Sequence, residues 1–124
     1  MIVAGFGFRA AATADSLRDA FSRAGEKADA LATAADKADG PAFRAFAEAL
    51  GLPVHGVSAE AIRAQETQTA APASRAARET GSLAEAAALA AAGPGARLLA
   101  PRAISGDRMA TCALAIGPDS GADP

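Results

Sequence analysis

The amino-acid sequence predicts one α/β domain, with helices on both faces of a mixed, mostly parallel sheet of about five strands. Segments typical of strands and of helices alternate along the 124 residues, a length that suits a single domain. Apolar residues make up 51% of the chain, but 39 residues are Ala and only 24 are larger apolar residues. Such a core requires Ala-lined helices packed close to a sheet, in three layers. We assign residues 1–116 to the domain and expect a flexible tail over residues 117–124.

The first strand and helix have clear patterns. Residues 2–8 are apolar throughout, which predicts a central strand covered on both faces. Residues 14–24 carry an apolar stripe at helical spacing, which predicts an amphipathic helix. We expect Thr13 or Asp15 to cap this helix and Gly25 to end it.

The next strand and helix are marked by the residues that interrupt them. Residues 29–34 are predicted to form a strand, because a loop over residues 35–40 and then a helix follow it. That helix covers residues 41–50, since Pro41 is favoured in a first helical turn and Gly51 is a typical end.

The middle of the chain has weaker patterns. Residues 54–57 predict a short strand near an edge of the sheet, and residues 58–62 predict about one capped helical turn. Residues 65–73 lack any periodicity, so we expect a mobile loop there. Residues 74–79 predict a short helix.

The last third of the sequence predicts one helix and two strands. Ser82 is expected to cap a helix over residues 83–92. Strands are predicted over residues 97–100 and 109–116, with a loop over residues 101–108 between them. Because no helix joins these two strands, we expect them to be antiparallel and the sheet to be mixed.

The composition excludes several classes of protein. The net charge of −2 lacks the basic excess of a nucleic-acid binder, and no apolar run is long enough for a membrane span. The N-terminus lacks the basic region of a secretory signal, and one cysteine fits a reducing cytosol. His55 and Cys112 cannot form a zinc site alone, and we expect both to be structural. We predict a cytoplasmic protein with no metal, no cofactor, no nucleic-acid partner and no membrane partner.

The end of the first strand is the first candidate ligand site. Gly5 and Gly7 allow a ligand to approach the backbone closely, and Arg9 offers a clamp for a carboxylate. A dinucleotide fingerprint is incomplete, because position 10 is Ala. The alternative is that the two glycines only make room for a helix and that Arg9 is an ordinary surface residue.

The loop after the second strand is the second candidate. Lys37 offers a positive charge where a parallel strand ends, which is where ligands bind in such sheets. The alternatives are that Lys37 is merely solvated and that Asp39 caps the following helix.

Two further candidates lie in the second half of the chain. Thr80, Gly81, Ser82 and Glu85 combine hydroxyl groups with the N–H groups at a helix start, which suits an anion. Ordinary capping of the helix by Ser82 explains the same residues. Arg102 could bind an acidic ligand, or it could be a solvated loop residue.

Six segments taken in order resemble a known family. They are residues 2–9, 32–39, 50–53, 80–89, 98–102 and 111–115. The chain resembles the CobE family of cobalamin biosynthesis, which is similar to the C-terminal domain of CbiG. The resemblance implies a mixed-sheet α/β domain and a role in synthesis of the corrin ring.

The resemblance implies a precorrin or other corrinoid intermediate as ligand, and other enzymes of the pathway as partners. Corrin precursors are flat macrocycles with many carboxylates, which Arg9, Lys37, the helix start at Ser82 and Arg102 would suit. The leading hypothesis is that the protein binds or carries such an intermediate. The alternatives are a hydrolase of the precorrin lactone that uses Thr80, Ser82, Glu85 and Lys37, and a structural partner of another pathway enzyme.

Overall fold

The computed structural model of the protein describes residues 1–68, 81–99 and 102–117. In these ranges the strands are β1 (Ile2–Phe8), β2 (Ala30–Ala34), β3 (Val54–Val57), β4 (Arg97–Leu98), β5 (Ala103–Ile104) and β6 (Ala110–Ile116). The helices are α1 (Ala14–Ala24), α2 (Pro41–Leu50), α3 (Ala59–Gln68) and α4 (Gly81–Ala92). The predicted α/β class is confirmed.

The sheet is mixed, and most of its strands share one direction. The strand order is β3-β2-β1-β6-β4, and β5 also pairs with β6. Pairing is parallel between β1 and β2 and between β2 and β3, whereas β6 is antiparallel to β1, β4 and β5. Five strands therefore run one way and β6 runs against them. The predicted edge position of β3 and the antiparallel end of the sheet are both confirmed.

Helices cover both faces of the sheet, but the two faces differ in side-chain size. Helices α1 and α2 cover one face, where all five phenylalanines cluster: Phe6, Phe8, Phe21, Phe43 and Phe46. Neighbouring rings in this cluster have centroids 5.2 to 6.4 Å apart. On the opposite face, α3 and α4 pack against the sheet mainly through small side chains. Ala86 and Ala87 of α4, for example, belong to the same buried cluster as Val3 and Ala32 of the sheet.

The ends of the first two helices follow the predicted signals. Thr13 caps α1, because its hydroxyl accepts from the Ser16 N–H and its own N–H donates to the Ser16 hydroxyl. Asp15 therefore is not the cap. Gly25 and Gly51 end α1 and α2 with positive φ angles of 120° and 69°, which glycine adopts without a steric penalty. Gly40, not Asp39, holds the cap position of α2, and no side chain caps that helix.

Several predicted boundaries are wrong. Helix α3 continues to Gln68, so residues 65–68 are helical and not loop; Ala, Gln and Glu favour helix without producing an apolar stripe. Helix α4 already begins at Gly81, which places Ser82 inside the first turn and not at the cap. Strand β5 lies within the predicted loop over residues 101–108, because two residues are too few to show a period.

Other predictions fall partly or wholly outside the described residues. The rest of the predicted mobile loop, over residues 69–73, and the predicted helix over residues 74–79 lie there. So do residues 118–124 of the predicted tail. Gly117 is buried, and its N–H donates to the carbonyl of Met1 at 3.0 Å. In the ranges that are described, no helix is both long and apolar enough to cross a membrane.

Candidate functional site

Strands β1 and β2 separate at their carboxyl ends, and side chains bridge them there. Their paired register runs from Val3–Ala30 to Gly5–Ala32. Beyond it, the buried Thr33 hydroxyl donates to the Phe6 carbonyl at 2.8 Å. Buried carbonyl groups need a hydrogen-bond partner, so Thr33 replaces the backbone donor that β2 no longer supplies. This buried threonine was not predicted from the sequence.

Lys37 forms the second bridge and is not merely solvated. Its ammonium group donates to the Phe8 carbonyl at 3.0 Å and lies 5.1 Å from the centroid of the Phe8 ring. A cation over an aromatic face is attracted by the ring quadrupole, so both contacts hold the half-buried Lys37 at the end of β1. An ammonium has three donors, which leaves two for a further acceptor.

Arg9 follows β1 directly and is exposed to solvent. Its backbone N–H donates to the Met109 carbonyl at 2.9 Å, which holds this residue where β6 begins. Lys37 follows β2 and bonds the peptide that links Phe8 to Arg9. Arg9 and Lys37 therefore lie at the carboxyl ends of adjacent strands; we call them the strand-end cations.

Helix α4 packs directly on the glycine-containing part of β1. A Cβ atom at Gly5 would overlap the backbone of Ala84 and Ala88 in α4. A Cβ atom at Gly117 would lie 2.7 Å from the Ala92 carbonyl oxygen, at the other end of the sheet. Helix α4 therefore runs antiparallel to β1, and its first residue, Gly81, points toward the end with the strand-end cations. For Gly5 the structure supports the packing alternative.

The remaining glycine and hydroxyl candidates have separate outcomes. Gly7 is buried in β1 opposite Thr111, whose hydroxyl donates to the Gly7 carbonyl at 3.3 Å. Gly81 opens α4. Thr80 and the side chain of Ser82 lie outside the described residues, so their proposed contacts with an anion stay predictions.

Glu85 and Arg102 form an ion pair. A guanidinium nitrogen of Arg102 lies 3.7 Å from a carboxylate oxygen of Glu85. The side chains are 35% and 27% exposed, respectively. Glu85 lies just beyond the first turn of α4, and Arg102 comes directly before β5. The fold thus brings two predicted site residues together, but as partners of each other.

A hydrogen-bonded clamp between α1 and the turn before β6 was missed by sequence reasoning. The Asp107 carboxylate accepts from the hydroxyls of Ser105 and Ser16 at 2.5 and 2.6 Å, and Asp19 accepts from the Gly106 N–H at 2.6 Å. Bonds from the Ser105 and Ser16 hydroxyls lower the pKa of Asp107. The bond from Gly106, followed by that from Arg23, lowers the pKa of Asp19.

This clamp predicts weaker folding in acid. Both aspartates have folded-state pKa values below the ordinary 3.8, so their stabilisation is present above that pH and is lost as pH falls through the lowered values. We expect the urea midpoint at pH 3 to lie below that at pH 6. Replacing Asp107→Asn should lower the midpoint at pH 6 and make it less sensitive to acid. An Asp107→Asn variant with the wild-type pH dependence would contradict this assignment.

Cys112 and His55 are placed as a core residue and an edge residue. Cys112 is fully buried in β6, and that burial raises the pKa of its thiol, which stays protonated. This agrees with its expected structural role. His55 is exposed in β3 at the edge of the sheet.

Two surface cavities are lined by described residues. One of about 430 Å³ lies between α2 and the β3 edge, with Arg44, Glu48 and Val54 in its wall. The other, of about 390 Å³, lies between α3 and the end of α4 and includes Ala61 and Leu89. Arg9, Lys37 and Arg102 are not among the residues that line these two cavities.

Comparison with known proteins gives consistent matches. The family model described as "Cobalamin synthesis G C-terminus" matches residues 2–115. The crystal structure of cobalamin biosynthesis protein chiG from Agrobacterium tumefaciens is 41% identical, with a TM-score of 0.73 over 96% of this chain and 100% of that chain. The structure of CobE, a protein from the cobalamin biosynthetic pathway, is 36% identical, with a TM-score of 0.75 over 93% of this chain and 89% of that chain.

A more distant structure shares the fold. It is a homolog of cobalamin biosynthesis protein G from Sulfolobus solfataricus, 21% identical, with a TM-score of 0.69. The alignment covers 92% of this chain but only 36% of that chain, so there the fold is one part of a longer protein. No curated protein sequence matches the chain.

Proposed function

The chain belongs to the family of the cobalamin synthesis G C-terminal domain, and from that premise we propose that it binds a corrin-ring precursor. The bound molecule is a precorrin or related corrinoid intermediate. The protein acts as its carrier or as a helper of another enzyme of cobalamin biosynthesis.

The observation that carries this proposal is the placement of the strand-end cations. Arg9 is exposed, and Lys37 is held in place by Phe8 with two donors to spare. Corrin precursors present several carboxylates around a flat ring, and charge-assisted hydrogen bonds to such groups are strong. Two cations at the ends of adjacent strands can contact carboxylates of one ligand. They lie beyond the carboxyl ends of the parallel strands, where α/β domains bind ligands.

The orientation of α4 adds to the attraction for an anion. Its first residue, Gly81, points toward the same end of the sheet. The first N–H groups of a helix lack partners within the helix, and the helix dipole is positive there. A ligand carboxylate near the start of α4 would therefore be stabilised in addition to its contacts with Arg9 and Lys37.

Titration of the full chain with two matched corrins tests the proposal. One corrin carries free peripheral carboxylates, and in the other the same groups are amidated. We expect saturable binding of the carboxylate form, read from its visible spectrum, with clearly weaker binding of the amide. Binding should weaken as salt rises, because exposed charge contacts are screened. No spectral change at tens of micromolar protein would overturn the proposal.

A second measurement distinguishes the hydrolase hypothesis from the binding proposal. A hydrolase acting on the precorrin lactone would release a two-carbon fragment. Under that hypothesis, acetaldehyde or acetate would accumulate with authentic substrate. We expect the bound ligand to stay intact over many hours. Release of either product by the isolated chain would replace the binding proposal with the hydrolase hypothesis.

A further inference from the structure

The Glu85–Arg102 pair differs from the other long ion pair of the described residues. Arg44 and Asp39 also lie 3.7 Å apart, but their side chains are 61% and 91% exposed. Arg102 and Glu85 are 35% and 27% exposed, so water screens their charges less. Attraction between opposite charges grows as the surroundings become less polar. Glu85 therefore holds Arg102 more firmly than Asp39 holds Arg44.

The pair nevertheless leaves Arg102 able to bind another group. A separation of 3.7 Å is longer than the 2.7–2.9 Å of a charge-assisted hydrogen bond between such groups. The guanidinium group has five donors in a rigid fork, and this contact does not engage it in a bidentate bond. A carboxylate that reached Arg102 in the bidentate geometry would form the stronger contact.

We propose that Glu85 is a resident counter-anion, which occupies Arg102 in the free protein and is displaced by a carboxylate of the ligand. This inference rests on the proposed function, and it reverses the part that the sequence suggested for Glu85. A carboxylate on α4 repels a ligand carboxylate and competes with it for Arg102, so Glu85 opposes binding. An uncharged amide of the ligand could not compete for Arg102 in this way. Only a ligand whose carboxylates are still free is therefore expected to displace Glu85 from Arg102.

The experiment measures binding of the corrin with free carboxylates to three variants of the full chain. Glu85→Gln keeps the shape of the side chain and removes its charge. We expect its dissociation constant to fall roughly 2- to 5-fold below that of the wild type, which corresponds to the upper part of the range measured for partly exposed ion pairs. Adding Arg102→Gln should abolish this gain, because the cation that Glu85 competes for is gone. Asp39→Asn is the matched control at the exposed pair and should bind as the wild type does.

The possible outcomes separate this inference from the proposed function. If the wild type binds and Glu85→Gln binds equally well or more weakly, the inference is overturned and the proposed function stands. If a gain appears equally in Asp39→Asn, the effect is one of net charge and the inference is also overturned. If neither the wild type nor Glu85→Gln binds, both proposals fall. Urea unfolding of each variant shows that the binding values refer to folded protein.

Discussion

Removing both strand-end cations, as Arg9→Ala with Lys37→Ala, is expected to raise the dissociation constant for a carboxylate-bearing corrin at least about 30-fold. Each charge-assisted hydrogen bond contributes about 1–3 kcal/mol, and the two residues follow the carboxyl ends of adjacent strands. Each single variant should lose part of this affinity. Spectral titration at constant ionic strength provides the measurement, and the salt dependence of binding should be smaller in the double variant.

A charge-matched variant serves as the control. Arg18→Ala with Lys27→Ala also removes two positive charges, but Arg18 lies on α1 and Lys27 precedes β2 at its amino end. We expect its affinity to stay within about twofold of the wild type, because neither residue follows the carboxyl end of a strand and salt screens exposed charges. Equal losses in the two double variants would show that net charge, and not the strand ends, governs binding.

Removing Lys37 is also expected to lower the stability of the fold, which the sequence did not suggest. Removing its ammonium group leaves the Phe8 carbonyl without this donor, which costs about 1 kcal/mol of stability. Lys37→Met retains most of the aliphatic stem, so comparing it with Lys37→Ala separates loss of the charge from loss of packing over the Phe8 ring.

Replacing Gly5→Ala is expected to reduce the free energy of unfolding by about 3 kcal/mol or more, at the upper end of overpacking effects. The added methyl group would overlap backbone atoms of Ala84 and Ala88, so α4 would have to move away from β1. Backbone atoms of a packed helix cannot turn aside as a flexible side chain can. Urea denaturation followed by circular dichroism measures the change.

Gly40→Ala is the matched substitution for Gly5→Ala. A Cβ atom there would lie 3.3 Å from the Lys37 carbonyl oxygen and 3.9 Å from the Phe8 ring, which a small adjustment accommodates. We expect a loss of about 1 kcal/mol or less, including the poorer helix cap. A Gly5→Ala protein as stable as Gly40→Ala would show that α4 does not pack against β1 as described.

Features governed by neighbouring residues were predictable from the sequence. The boundaries of α1 follow from Thr13 and Gly25, and the central place of β1 follows from a segment that is apolar on both faces. Placing Lys37 at a strand end required only the order of strand and loop. The position of Arg9 and Lys37 at the strand ends could therefore be predicted from the sequence.

Features that depend on distant residues were not predictable. The contact of Asp107 with Ser16 spans 91 residues, and that of Thr33 with Phe6 spans 27. No local pattern marks either, because both depend on which elements the fold brings together. The pairing of Glu85 with Arg102 was missed for the same reason, although both residues had been singled out. Helix α3 was underestimated because its residues favour helix without forming an apolar stripe.

The contact between Gly117 and Met1 has an architectural consequence. Since β6 runs against β1, the first and last described residues lie together, and the Gly117 N–H donates to the Met1 carbonyl. The strand-end cations lie at the far end of β1, whose seven residues span roughly 20 Å. A neighbouring module joined covalently directly before Met1 would thus be attached at the opposite end of β1 from those cations. The arrangement suits a unit that can be fused into a larger polypeptide with the carboxyl ends of its strands left open.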